Sequence, residues 1–355
     1  MHNASTQPKL GLRSRRQRGS GIQVSATQLV TTAPLQPDTL LPLVVSPAVE
    51  GLNLTSWAAE QRQWIQAQLW LHGGLLCRNF TNVGAETLES LFAALGGELM
   101  EYAYRSTPRS PVRGRIYTST AYPASESIPL HNEMSYSRNW PMRIGFSCLQ
   151  SAATGGETPI ADSHKVWASL DPEIRDTFAR KQVLYVRNYS RELDLPWQTV
   201  FQTEDRAAVE QYCRAAGIEW EWRSGDRLRT RQVCQAVAQH PQTQAWVWFN
   251  QAHLFHVANL PPETRQSLLA VVDEADLPRN TYYGDGTPIA DRILAIVRAA
   301  YAEHTVAFRW QTGDILLLDN MLVAHGRRPF TGERQVVVGM DEPYDRTVLQ
   351  GEGTV

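Results

Sequence analysis

Residues 305–343 read TVAFRWQTGDILLLDNMLVAHGRRPFTGERQVVVGMDEP. Apolar stretches rich in Val, Ile and Leu are separated at Gly313-Asp314 and Thr331-Gly332, a pattern that predicts two or three antiparallel strands joined by tight turns. The stretch 315–324 is the most apolar of them and ends on His325. It predicts a buried strand that delivers an imidazole to its end.

Outward from this block the reading changes in steps. Residues 288–303 predict a helix, and 163–276 mix helical stretches such as EDRAAVEQYCRAAG with strand-like ones such as QAWVWFNQ. Residues 98–160 break into short segments of Tyr, Ile, Phe, Thr and Ser punctuated by Pro and Gly, as antiparallel strands and loops do. Nearer the start, 41–47 reads as a short strand closed by proline, and 56–74 and 85–95 as helices stopped by glycine. His164 falls at the start of a helix. No βαβα alternation, no Gly-rich phosphate loop and no internal repeat is visible. The expectation is a mainly β fold, a sandwich or jelly roll with helical insertions. Residues 1–37 are expected to be a flexible basic tail, and 38–355 a single domain with a helical insertion at about 163–304.

With 43% hydrophobic and 20% charged residues among 355, the chain can bury a sizeable core. A formal net charge of -2 provides no field for a polyanion or an anionic membrane, so neither nucleic acid nor membrane is an expected partner. The cationic cluster is confined to Lys9, Arg13, Arg15, Arg16 and Arg18, in a segment without Asp or Glu. A solvated tail and a transit peptide both fit that composition, whereas the residues after the arginines are too polar for a secretory signal. Cys77, Cys148, Cys213 and Cys234 are scattered, with no CxxC pair. They read as reduced thiols, and the expected location is cytoplasmic.

The chemistry begins at PLHNEMSY, residues 129–136. On an extended strand i and i+2 project to one face, so His131 and Glu133 have the spacing to share a cation while Asn132 points away. An HxE pair is common by chance, and a third donor is what gives it weight. His325 offers one, because an imidazole at the end of a buried strand is costly to leave unpartnered. Two histidines and a carboxylate on one face of an octahedron leave three positions open and suit non-haem Fe(II); zinc can use the same ligands.

The strings LHNEMSYSRNWPMRIGFSCLQSAATGGETPIADSHKV, WVWFNQAHLFH, YYGDGTPI and RWQTGDILLLDNMLVAHGRRPFTGERQVVVGM resemble the TauD/TfdA family of Fe(II)/2-oxoglutarate dioxygenases. The likeness runs from about residue 41 to 343. It is greatest to the branch that hydroxylates amino-acid building blocks in bacterial non-ribosomal peptide pathways, the syringomycin aspartyl-hydroxylase-like group. It implies a double-stranded β-helix (jelly roll) of the clavaminate-synthase-like kind, with iron on His131, Glu133 and His325. It also implies 2-oxoglutarate and O2 as cosubstrates, the former held by Arg334, whose fork matches a carboxylate, and by Thr158 after the Gly-Gly turn. Halogenating relatives replace the carboxylate ligand with a small residue, so Glu133 argues against halogenation. The implied reaction is hydroxylation of an amino acid or its derivative, free or tethered to a peptidyl carrier protein, with release of succinate and CO2.

Desaturation and epoxidation use the same oxidant and stay open. So do a non-catalytic protein that keeps fold and metal, a nucleic-acid-directed oxygenase using the tail, and a zinc hydrolase. Among other candidates, Asn250 is expected to contact substrate. Arg105, Arg109, Arg113 and Arg115 read either as a lid gripping a substrate carboxylate or carrier phosphate, or as a solvated loop. His253 and His256 lack an acidic neighbour and read as core histidines. Trp246 and Trp248 read as a buried strand, and Arg327 and Arg328 as rim or structural residues.

Overall fold

The computed structural model describes residues 29–345 apart from 38, 82, 101–110, 119–121 and 192. Most of the expected tail, residues 1–28, and Arg105 and Arg109 of the expected lid lie outside the described residues.

The apolar run at 315–319 becomes a central strand of an eight-stranded sheet. Ile315–Asp319 pairs antiparallel with Asn139–Gln150 on one side and Gly74–Cys77 on the other, and Gln335–Asp345 lies beyond Asn139–Gln150. Both faces of this strand are covered, which is why it carries no polar alternation. Leu316 and Leu318 face a core shared with Ile144, Phe146, Ile160, Val323 and Val338, whereas Ile315 and Leu317 face Trp57, Ile65, Leu69, Leu88 and Phe92. The second set comes from helices Leu54–Glu60, Arg62–His72 and Ala85–Ala94. Gly145 and Gly339 sit opposite each other across the sheet, and a Cβ on either would fall 2.8 or 2.9 Å from the Phe92 ring. The two glycines open the seat for that aromatic.

A second sheet faces the first: Thr305–Val306, Ile160–Asp162, Val323–Arg327 and Ile128–His131, all antiparallel. In it His325 is the register partner of both His131 and Ile160. Two facing sheets with helices on the outer face form the jelly roll.

Residues 163–304 differ from the expected helical insertion, because they carry a four-stranded antiparallel sheet of their own. Its strands run Glu219–Arg223, Arg227–Cys234, Val183–Tyr189 and Arg279–Tyr283 in spatial order. Helices Pro172–Lys181, Arg206–Ala216 and Asp291–Glu303 pack on a core that includes Phe178, Tyr185, Tyr189, Trp197, Trp248 and Leu294. The Arg227–Cys234 strand buries Arg229, Thr230 and Gln232, polar residues that break the alternation by which a strand is read. Among the described residues no helix is long and apolar enough to cross a membrane.

Candidate metal and cosubstrate site

His131, Glu133 and His325 converge, each offering a ligand atom within 4.8 Å of the others. Among the described residues this is the one group of three or more His, Cys, Asp or Glu side chains that could hold a metal ion. Glu133 Oε2 lies 4.0 Å from His325 Nε2, and the two imidazole rings are 4.6 Å apart, centroid to centroid. The His131 Nδ1–H donates to the Pro129 carbonyl at 2.8 Å, which leaves Nε2 with its lone pair for a cation. Glu133 is only 2% exposed. A buried carboxylate between two imidazoles suits a divalent cation, whose charge it would offset, and the donor set of two nitrogens and one oxygen suits iron.

The strand reading of HxE needs one correction. The strand ends at His131, and Glu133 lies in the following turn, where Met134 has φ 56°. A side-chain clasp rather than the β-ladder orients it. Asn320 Oδ1 accepts the Glu133 N–H at 2.7 Å, and its Nδ2 donates to the carbonyls of Glu133 at 3.0 Å and Pro141 at 2.8 Å. Asn132 returns the contact by donating to the Asn320 carbonyl at 2.7 Å and to Ser163 Oγ at 3.0 Å. Gln251 donates to the Asn132 carbonyl. Next to Asn320, Asp319 accepts the His240 Nε2–H at 3.0 Å and the N–H groups of Met321 and Leu322, so the turn carrying the clasp is itself pinned. Asn132 was expected only to point away, and Asn320, Ser163, Gln251, Asp319 and His240 were not read as part of the site. The available signal was a polar Asp-Asn pair interrupting an apolar run, since buried polar groups must find partners.

Beneath His131, His253 is buried and its Nε2–H donates to the Leu130 carbonyl. Burial, opposed in part by that bond, lowers its pKa to about 4, so it stands neutral. His256 caps a short helix by accepting the Ala258 N–H, and Trp248 is buried while Trp246 is exposed. His164 lies in the first turn of helix Ser163–Ser169.

Arg334 stands immediately before the strand Gln335–Asp345, with its Nε–H on the Gly156 carbonyl at 2.9 Å and its guanidinium over the Phe330 ring. Gly156 has φ +71°, and a Cβ there would sit 2.9 Å from Arg334 Cδ. The Gly-Gly turn is thus the floor under this arginine. Burial, then the nearby Arg327, lowers the Arg334 pKa to about 10. A desolvated guanidinium of this kind is a seat for a carboxylate. Two residues along from Gly156, the Thr158 hydroxyl accepts the Trp310 indole N–H at 3.0 Å. Arg327 is committed elsewhere, donating to the carbonyls of Tyr122, Pro123 and Glu126.

Three expected substrate residues are placed differently. Asn250 is fully buried, donates to the Ala236 carbonyl and accepts the Ala252 N–H, so its amide shapes the chain before helix Ala252–Phe255. Arg113 pairs with Glu86 and Glu89 of the helix Ala85–Ala94 at the exposed edge of the large sheet. Arg115 donates to the Leu99 carbonyl. Both guanidiniums thus have partners near the edge of the large sheet.

The sequence pattern of the taurine catabolism dioxygenase TauD, TfdA family matches residues 31–340. The dapdiamide synthesis protein DdaC of Enterobacter agglomerans is 43% identical over 271 residues, 76% of this chain and 82% of that one. A clavaminate synthase-like protein of Arabidopsis thaliana is 29% identical over 322 residues, 84% of this chain and 93% of that one. Among solved structures, PvcB from Pseudomonas aeruginosa superposes with a TM-score of 0.54 at 18% identity, covering 88% of this chain and 91% of that one. This likeness shows the shared fold.

Proposed function

The chain belongs to the TauD/TfdA family of dioxygenases, and from that premise we propose that it uses Fe(II), 2-oxoglutarate and O2 to hydroxylate a small amino-acid-derived substrate, with His131, Glu133 and His325 as the iron ligands. The observation that carries the site assignment is the convergence of those three donors, one half-buried and two buried, from a strand end, a turn and a neighbouring strand. When bound, the iron supplies the coupling of O2 and 2-oxoglutarate to oxidation of a C–H bond: substrate, O2 and 2-oxoglutarate yield hydroxylated substrate, succinate and CO2. Everything else falls to the protein.

His131, with its Nδ1–H held by Pro129, presents a fixed Nε2. Glu133, locked by Asn320, contributes the single negative charge, so the bound divalent ion keeps a net positive charge that favours an anionic keto acid. Arg334 and Thr158 take the distal carboxylate of 2-oxoglutarate, the guanidinium by charge and the hydroxyl by a hydrogen bond. The Phe146 ring, 5.1 Å from that of His325, lines the centre with an apolar wall that limits water. DdaC is by its name a dapdiamide synthesis protein, and PvcB is described as an Fe, alpha-ketoglutarate dependent oxygenase of an isonitrile synthetic pathway. Both support a place in the biosynthesis of small specialised molecules. The finer reading is an amino acid that is either free or carried on a peptidyl carrier protein.

The test is an anaerobic titration of the purified apoprotein with Fe(II) and then 2-oxoglutarate, followed by the visible charge-transfer band of a chelated keto acid and by succinate release on admitting O2. The expected result is a band in wild type that is absent in His325→Ala. No band in folded wild type would overturn the assignment, and full activity restored by zinc alone would redirect it to a hydrolase.

A further inference from the structure

A tryptophan indole can only donate, so in the 3.0 Å contact between Trp310 Nε1 and Thr158 Oγ1 the threonine oxygen must accept. The hydroxyl proton of Thr158 is therefore turned away from Trp310. Thr158 is 3% exposed, and among the described residues no acceptor takes that proton. A buried donor without an acceptor is costly, and such a group marks the place of a missing partner. That partner must be an acceptor, and the nearby Arg334 favours an anionic one.

The surroundings hold this arrangement still. On the threonine side, the Arg328 N–H donates to the Glu157 carbonyl and the Gly326 N–H to the Pro159 carbonyl, so the backbone on both sides of Thr158 is laced to the strand that carries His325. Two residues earlier Gly156 holds Arg334. On the tryptophan side, Arg78 pairs with Asp314 and also donates to the Arg309 carbonyl, while the Gln311 N–H donates to Asp314. The ring itself is buried, edge-on to Phe308 at 5.0 Å. Neither partner has freedom to drift.

We infer that Trp310 is a positioning residue for the cosubstrate: by occupying one lone pair of the Thr158 hydroxyl it aims the proton of that hydroxyl at the distal carboxylate of 2-oxoglutarate, beside Arg334. This rests on the reading of Thr158 and Arg334 as the distal-carboxylate site. In the absence of the indole the hydroxyl is free to rotate and to satisfy itself elsewhere, and its contribution to the anion falls. The role is confined to the far end of the keto acid; the metal end is untouched.

Pyruvate separates the two ends, since it chelates through the same keto acid group and lacks the distal carboxylate. Binding of 2-oxoglutarate and of pyruvate to the Fe(II)-loaded protein is measured anaerobically for wild type, Trp310→Phe, Thr158→Val and the double variant, with Fe(II) affinity measured beside them. Trp310→Phe should weaken 2-oxoglutarate about tenfold and leave pyruvate and Fe(II) within about twofold. The double variant should be no worse than Thr158→Val alone. Additive losses, or equal losses for both keto acids, would overturn the inference. Thr158→Val keeps the indole, so a second readout survives any misfolding of Trp310→Phe. In the Zn(II)-loaded protein with labelled tryptophan, one indole N–H resonance should move both on that substitution and on adding 2-oxoglutarate to wild type. Absence of a resonance that responds to both sinks the idea. Failure of wild type to bind 2-oxoglutarate at all would remove the underlying site reading, whereas binding that ignores Trp310 removes only its role.

Discussion

The two ends of the site are built on different physical terms. At the metal end, Glu133 and its neighbours are held by buried neutral amides, Asn320 alone making three hydrogen bonds to backbone. At the proposed cosubstrate end, a guanidinium is buried against the Gly156 carbonyl and the Phe330 ring with Arg327 nearby, and its pKa falls to about 10. The clasp that orients Glu133 is formed by the protein alone. On the proposed reading the other end receives a carboxylate, which restores the solvation that burial removed. An all-or-none response is expected from the first and a graded one from the second.

The largest effect tests the all-or-none side. His325→Ala should reduce turnover on the order of 10³-fold, since several kcal/mol of the chemistry depends on the ion it is proposed to ligate. A variant that still gives succinate at a tenth of the wild-type rate would break the comparison. On the graded side, Arg334→Ala should weaken 2-oxoglutarate about 100-fold and Arg334→Lys about tenfold, with Fe(II) affinity unchanged in both. Equal loss of iron would mean that the two ends are not separable.

Asn320→Ala probes the clasp. It should lower Fe(II) affinity about 10- to 100-fold, as loss of a residue that orients a ligand does, and cost about 2–3 kcal/mol of stability by leaving buried backbone groups unsatisfied. Chemical denaturation and metal titration read the two separately. If stability falls and metal affinity does not, Asn320 serves the fold alone.

Acid should sharpen the contrast further. His253, beneath His131, has its pKa lowered by burial from 6.5 to about 4. The unfolded chain therefore takes up a proton below pH 6.5 that the folded protein refuses until about pH 4. The stability due to this group is complete above pH 6.5 and is lost as pH falls toward 4, up to about 3 kcal/mol. His256 is shifted in the same direction, also by burial. Denaturation midpoints between pH 7 and 4.5 should fall, and fall less in His253→Gln. Arg334 stays charged throughout that range, so the affinity for 2-oxoglutarate should not follow the same curve. The smallest effect belongs to the sheet edge. Arg113→Ala removes two exposed ion pairs and should change stability by less than about 1 kcal/mol and turnover hardly at all; a large rise in substrate KM would return Arg113 to the site.

A second contrast explains what could be read in advance. The strand Ile315–Asp319 was legible because a layer of the fold covers each of its faces, and continuous apolarity follows directly from that. The strand Arg227–Cys234 is also largely buried, yet it reads RLRTRQVC, with Arg229 bonded to Asn188 and to the Ala275 carbonyl and Gln232 to the Ala216 carbonyl. Its buried polar side chains find distant partners, so composition concealed a sheet inside an expected helical insertion. Asn250 was equally opaque, its amide bonded to the Ala236 carbonyl and the Ala252 N–H. A polar residue after an aromatic strand has the same appearance whether it faces a substrate or closes a turn.

The sequence by itself determined the donor types at the metal end: an imidazole and a carboxylate two apart and a distant imidazole ending an apolar run, while the arginine and threonine beside glycine turns came through the family resemblance. Those are properties of single residues and their near neighbours, set by spacing and side-chain chemistry. Tertiary structure decided which polar groups face one another. Asn320 reaches Glu133 across 187 positions and Trp310 reaches Thr158 across 152. A hydrogen bond depends on donor and acceptor lying within about 3 Å in space, and separation along the chain carries no information about that distance until the two sheets have closed.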